Sequence, residues 1–189
     1  MDLSPEQLYH WFGLNRALFL WLSGIHFPAW DWAVDVLAAA ADPAHFPWSV
    51  AAVLLVAYLF PRLASAGDAI VFAIGFAPLM LASAHLKAVL GLPRSADLAD
   101  AGASFAFLLK EGDGLPSAPA AFVFLLAASL SPGVPPPVRV VLWTFAGLAG
   151  LARIAAGTAL PADVAGGAIL GIAVAMFLRA ALRLIARGG

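Results

Sequence analysis

Residues 67–92 read GDAIVFAIGFAPLMLASAHLKAVLGL, and this stretch decides the fold. Between Asp68 and Lys87 it carries no formally charged side chain. A helix rises 1.5 Å per residue, so a run of this length crosses a hydrocarbon core of about 30 Å. It reads as a membrane-spanning helix.

The rest of the chain agrees. Its 189 residues are 63% hydrophobic and only 11% charged, with a mean hydropathy of +0.95. Soluble domains are about half apolar and about a quarter charged. One core cannot hide the excess, because a domain of this size still exposes roughly a third of its unfolded surface. A net charge of −1 offers no clustered basic face and so argues against nucleic acid as a partner. The absence of cysteine excludes disulfides and thiolate metal sites. The opening MDLSPEQLYHWF lacks the positive region and small-residue cleavage site of a signal peptide, so the first apolar segment is expected to be kept.

Pro, Gly and charged clusters divide the apolar runs into spans over 29–41, 46–61, 67–92, 117–131, 137–158 and 161–184. The expected fold is all-α: a polytopic membrane helix bundle of about six transmembrane helices plus an amino-terminal interfacial helix. A single domain covers residues 1–189, with 1–28 as the interfacial segment and 93–116 as an external loop. Leu14 to Phe27 is too short for a crossing and is broken by Gly24, His26 and Pro28. With six crossings, Arg16, Arg62, Arg139, Arg179, Arg183 and Arg187 share one side, while Lys87, Arg94, Lys110 and Arg153 share the other. The positive-inside rule makes the arginine-rich side cytoplasmic. The expected setting is a bacterial inner membrane with both termini in the cytoplasm.

Lys87, Arg94 and Arg153 then lie at external helix ends. A cation at membrane depth either snorkels to the head groups or marks a site. Their spacing favours a site. Lys87 and Pro93-Arg94, then Pro116-Ser117-Ala118-Pro119, then Ala152-Arg153 with Ala159 and Asp163, follow one another in a telling order. The order resembles the three motifs of the type 2 phosphatidic acid phosphatase family, K-x6-R-P, P-S-G-H and S-R-x5-H-x3-D. Asn15 to Ser23 with Pro28 and Asp31 is similar to that family's amino-terminal segment, and Arg153 to Gly157 with Asp163 to Gly171 to its last two helices.

The resemblance implies that Lys87, Arg94, Ser117 and Arg153 bind phosphate and that Asp163 is an orienting remnant. In the family a histidine of the third motif attacks phosphorus and a histidine of the second protonates the leaving alcohol. Here Ala159 and Pro119 stand at those positions, Ser95 replaces a proline, Ala118 a glycine and Ala152 a serine. Fixed cations and amides stabilise the spread charge of a phosphoryl group, but a methyl group and a proline can neither take nor give a proton. The combination reads as natural drift rather than an engineered trap. Of the four histidines, His45 in Asp42-Pro-Ala-His-Phe-Pro47 is expected on the external side, His10 and His26 near the cytoplasmic half or the interface, and His85 on the face opposite Lys87. Asp31 and Asp35 lie one turn apart and are assigned no chemistry. Gly167 and Gly171 form a GxxxG step, expected to pack within the bundle. The loop around Phe105 to Leu109 reads as a short lid.

The sequence thus points to a catalytically silent relative of lipid phosphatases whose external cationic pocket binds a lipid phosphate or diphosphate head group. No cofactor or metal is expected, and membrane lipids are the expected partners. Two alternatives are an assembly subunit of a membrane complex with a vestigial pocket, and an active phosphatidic acid or polyprenyl diphosphate phosphatase with a rerouted nucleophile such as His45.

Overall fold

The computed structural model describes residues 13–90 and 114–188, with side chains to residue 185. Its helices are α1 (Leu14–Ser23), α2 (Pro28–Ala40), α3 (Phe46–Leu59), α4 (Ala66–Leu90), α5 (Ala118–Leu130), α6 (Pro136–Ala155) and α7 (Pro161–Gly188). Short 3₁₀ turns occupy Pro43–His45 and Ser131–Gly133. Among the described residues there is no strand. Proline opens or closely follows the start of α2, α3, α5 and α6 and is the first residue of α7. A first-turn proline loses only an N–H that the helix would leave unpaired anyway.

The centre of the bundle is α5. It is only 13 residues long, about 20 Å, yet Pro119 to Val123, Leu125 and Ala127 are all buried. α4, α6 and α7 enclose it. Gly167 and Gly171 make the closest seam: a Cβ on either would meet the carbonyl oxygen of Ser117 or Ala121. Small residues at that spacing let two backbones touch, which drives helix association where the solvent is itself apolar. The GxxxG step therefore packs within the bundle, as expected. Phe46 stacks on Phe76 with ring centroids 3.8 Å apart, and Phe76 meets Phe122 edge-on at 5.9 Å. These rings join α3 and α4 to the core.

Large apolar side chains face outward, among them Trp48, Tyr58, Leu81, Ile169 and Phe177. α3 buries none of its residues. α4, α6 and α7 are each long and apolar enough to cross a membrane. A surface of this kind needs lipid around it, and the protein is an integral membrane protein.

The crossings at 29–41 and 46–61 are corrected. α2 and α3 are not two antiparallel passes. Their axes bend by 54° at a short break, the geometry of a broken span or of a re-entrant loop. Asp42 stabilises that break by accepting the Ala44 N–H at 2.8 Å. Among the described residues the candidate spans are thus three, or four with the broken pair, while α5 is shorter.

The placement of α1 is corrected too. Asn15 is buried, and its Oδ1 accepts the Ala162 N–H at 2.9 Å, while Phe19 packs with Ile154, Leu160 and Ala162. α1 therefore lies at the end of the bundle where α7 begins. Arg16 is thus separated from Arg62, Arg179 and Arg183 along the bundle. A ten-residue helix is about 15 Å long. Its exposed Leu14, Leu20 and Trp21 suit an interface.

Candidate phosphate site

Four helix ends meet where the motif residues lie. Lys87 is in the last turn of α4, Ser117 immediately precedes α5, Arg153 is in the last turn of α6 and Asp163 is in the first turn of α7. The Ser117 N–H donates to the Asp163 carbonyl at 2.9 Å, which ties the second motif to the third. At the opposite end the Asp68 carboxylate pairs with Arg179 at 2.6 Å. That pair fixes α4 antiparallel to α7. Lys87 stands about 28 Å along α4 from Asp68, and Asp163 about 24 Å along α7 from Arg179, so the two reach the same level. Arg94 and the lid expected near Phe105 lie outside the described residues.

The turn after α6 shapes the third motif. The N–H groups of Thr158 and Ala159 both donate to the Arg153 carbonyl, at 3.0 and 3.2 Å, and the Thr158 hydroxyl joins them at 3.0 Å. Gly157 adopts φ 75°, a left-handed conformation that glycine takes without penalty. Ala159 is fully buried at the end of this turn. The side chain at the position that the motif resemblance aligns with a histidine is therefore enclosed.

Asp163 has a role beyond a remnant. It is fully buried, and its Oδ2 accepts the Leu160 N–H at 2.9 Å. A carboxylate three residues into a helix that reaches back to the N–H before it completes half a capping box. With Asn15 on Ala162, and Pro161 bringing no N–H, two of the three orphan N–H groups at the start of α7 are satisfied by side chains. The Asp163 carboxylate is thus held by the fold itself.

Ser117 is the site's most informative group. It is fully buried, and among the described residues its Oγ has no hydrogen-bond partner. It sits at the start of α5, where backbone N–H groups and the helix dipole favour an anion. Pro119 occupies the first turn, buried, and removes one donor. Ser83 was missed by sequence reading: it is buried one turn before Lys87 on the same face of α4, and its Oγ is also without a partner among the described residues. A serine in an apolar run gives no signal of its own.

The histidines change places. His45 closes the 3₁₀ turn at the bend, next to Phe46, which packs on the middle of α4. It belongs to the middle of the bundle and not to the motif end. His26 is at the motif end instead. Its Nδ1 lies 3.2 Å from Asp31 Oδ1, and both line a cavity of about 210 Å³ with Trp30, Ala156 and Gly157. His85 is exposed on α4, while Lys87 is half-buried.

The bundle is similar to the crystal structure of Aquifex aeolicus LpxE, with a TM-score of 0.70 over 87% of this chain and 93% of that one, at 22% sequence identity. The fold is LpxE-like. No family model matches the sequence, and no curated protein matches it either. What the chain shares with LpxE is the helical membrane architecture, which supports the type 2 phosphatidic acid phosphatase-like fold that the motifs imply.

Proposed function

We propose that this protein binds the phosphate or diphosphate head group of a membrane lipid at the motif end of the bundle. The buried, unpartnered hydroxyl of Ser117 carries this reading. A buried polar group without a partner costs about 1–3 kcal/mol, and a phosphate oxygen would supply that partner. Lys87 and Arg153, on the neighbouring helix ends, would balance the charge, with Arg94 as a third cation. The lipid class is a polyprenyl or glycerolipid phosphate.

Binding here does not lead to hydrolysis by the family's route. Ala159 has no lone pair to attack phosphorus, and Pro119 has no proton for the leaving alcohol. The protein is silent by that route, a degenerate relative of lipid phosphatases. The motif end faces the outside of a bacterial inner membrane, and the arginine-bearing end of α7 faces the cytoplasm. The chain has no cysteine, so single cysteines can report on this. Gly24→Cys should react with an impermeant maleimide in intact spheroplasts, and Leu184→Cys only after permeabilisation. The reverse pattern refutes the orientation.

Binding is tested with purified protein in nanodiscs by native mass spectrometry, comparing dioleoyl phosphatidic acid with dioleoylglycerol. Phosphatidic acid should be retained preferentially, and Arg153→Ala or Lys87→Ala should each weaken retention about tenfold or more. A hydrogen bond to a charged group contributes about 1.5–3 kcal/mol, and 1.4 kcal/mol is a factor of ten. Equal retention of the two lipids overturns the reading and favours an assembly subunit with a vestigial pocket.

A further inference from the structure

The pattern of α4 decides where the hydroxyl of Ser83 points. Phe72, Phe76, Leu79, Ser83 and Lys87 follow at helical spacing and form one stripe along the helix. The stripe faces α5, because the rings of Phe72 and Phe76 both lie 5.9 Å from that of Phe122. Further back on α4, Asp68 lies against Gly133, just after α5. The two helices therefore run antiparallel. Ser117 stands five residues before Phe122 and Ser83 seven after Phe76, displacements of about 7.5 and 10.5 Å in the same direction. Ser83 is thus about 3 Å nearer the motif end of the bundle than Ser117, and Lys87 is one turn, about 6 Å, beyond it. An anion held by the start of α5 sits just outside its first turn. Ser83 stands at that depth, on the face of α4 turned toward α5.

A serine buried in a helix or at its end can satisfy its hydroxyl on the carbonyl four residues back. Ser23 and Ser131 do so, donating to Phe19 at 2.7 Å and to Ala127 at 2.6 Å. Ser83 is only 2% exposed, yet its Oγ has no partner among the described residues. Ser117 makes no side-chain cap either. The Ala121 N–H donates to the Ser117 carbonyl at 2.9 Å, and Pro119 brings no N–H. That leaves the Ala118 and Ala120 N–H groups outside the ladder of α5, with the Ser117 and Ser83 hydroxyls beside them.

We propose that Ser83 is a phosphate-contact residue, its hydroxyl donating to the lipid head-group phosphate that Ser117 and Lys87 hold. The inference rests on the phosphate-binding reading above and adds a residue that the motif resemblance does not contain. A buried hydroxyl lowers stability while it is unpartnered and raises it once a phosphate oxygen accepts its proton. Its removal therefore acts oppositely on the protein with and without the lipid phosphate.

The test uses the full chain. Retention of dioleoyl phosphatidic acid in nanodiscs is read by native mass spectrometry, and thermal unfolding without lipid phosphate by circular dichroism in dodecyl maltoside. Ser83→Ala should weaken retention about tenfold or more, the effect of losing a hydrogen bond to a charged group. Its Tm without lipid phosphate should be unchanged or higher, because no hydrogen bond is broken. Ser129→Ala is the control: Ser129 is also buried without a partner among the described residues, but it lies at the Arg179 end of α5. That variant should retain the lipid as the wild type does. Full retention by Ser83→Ala, where Lys87→Ala and Ser117→Ala lose it, overturns the inference and leaves the binding reading standing. A lower Tm for Ser83→Ala also overturns it, by showing that the hydroxyl already serves the fold. So does an equal loss of retention in Ser129→Ala, since the effect then follows any buried serine. A wild-type protein that retains phosphatidic acid no better than dioleoylglycerol overturns the binding reading and this inference together.

Discussion

Replacing Arg179 with methionine should destabilise the protein more than any change on its outer surface. Arg179 donates to Asp68 at 2.6 Å and also to the Ser129 carbonyl. Asp68 is buried, with Ser65 Oγ donating to its other oxygen at 2.6 Å. Without Arg179, the carboxylate keeps one hydroxyl and the start of its own helix, in a part of the bundle with little water. Removing one partner of a buried pair costs about 3–5 kcal/mol, because the other charge is stranded. For a chain of this length each kcal/mol moves Tm by about 2–4 °C, so the expected fall is roughly 6–20 °C. Circular dichroism during thermal unfolding in dodecyl maltoside would measure it. Asp68→Leu should cost a similar amount. The double variant Asp68→Leu/Arg179→Met should recover most of the loss, since it strands no charge. A fall below about 2 °C in both single variants, or a double variant as unstable as the sum of the singles, would refute the argument.

Gly171→Ala should lower Tm measurably, because its Cβ would press on the Ala121 carbonyl and overpacking costs about 1–3 kcal/mol. Gly147→Ala, whose Cβ would meet nothing within 4 Å, should be neutral or slightly stabilising. Asn15→Ala should release the Ala162 N–H at a cost of about 1–2 kcal/mol and speed proteolysis between α1 and α2, read by limited digestion. Ala159→His alone should destabilise the fully buried turn without raising phosphate release. Ala159→His with Pro119→His should raise it, and a parallel assay of phosphate release separates the two outcomes.

The sequence carries helices better than it carries their directions. Residues 67–92 and 161–184 match α4 and α7 closely because a long apolar run bounded by charge and proline admits one reading. The break at Asp42-Pro43 admits two. Hydropathy marks where a helix stops, but the angle at which the next one leaves depends on what it packs against, here Phe46 on Phe76. Reading that break as a reversal put α1 on the wrong side. The error then carried through Arg16, His26 and His45. The decisive contact, Asn15 to Ala162, spans 147 positions and has no local signature. The motif residues fared differently. The motif resemblance singled out Lys87, Ser117, Arg153 and Asp163, the hydropathy pattern put them near span ends, and all four lie in or beside terminal turns of helices. Asp68 escaped notice because a lone acid at a span boundary looks like a loop charge until its partner, Arg179, is known.

The seam between α5 and α7 makes the bundle a lever. Ser117 and Ala121 rest directly on Gly167 and Gly171, with no side chain between to absorb movement. The ion pair of Asp68 with Arg179 clamps the far end of α7, about 24 Å away along the helix axis. Tilting α7 by one degree about that clamp would shift its first turn by about 0.4 Å. The ion pair can therefore shift the helix ends around Ser117 and Asp163 without touching them, and variants there should be assayed for lipid retention as well as for stability.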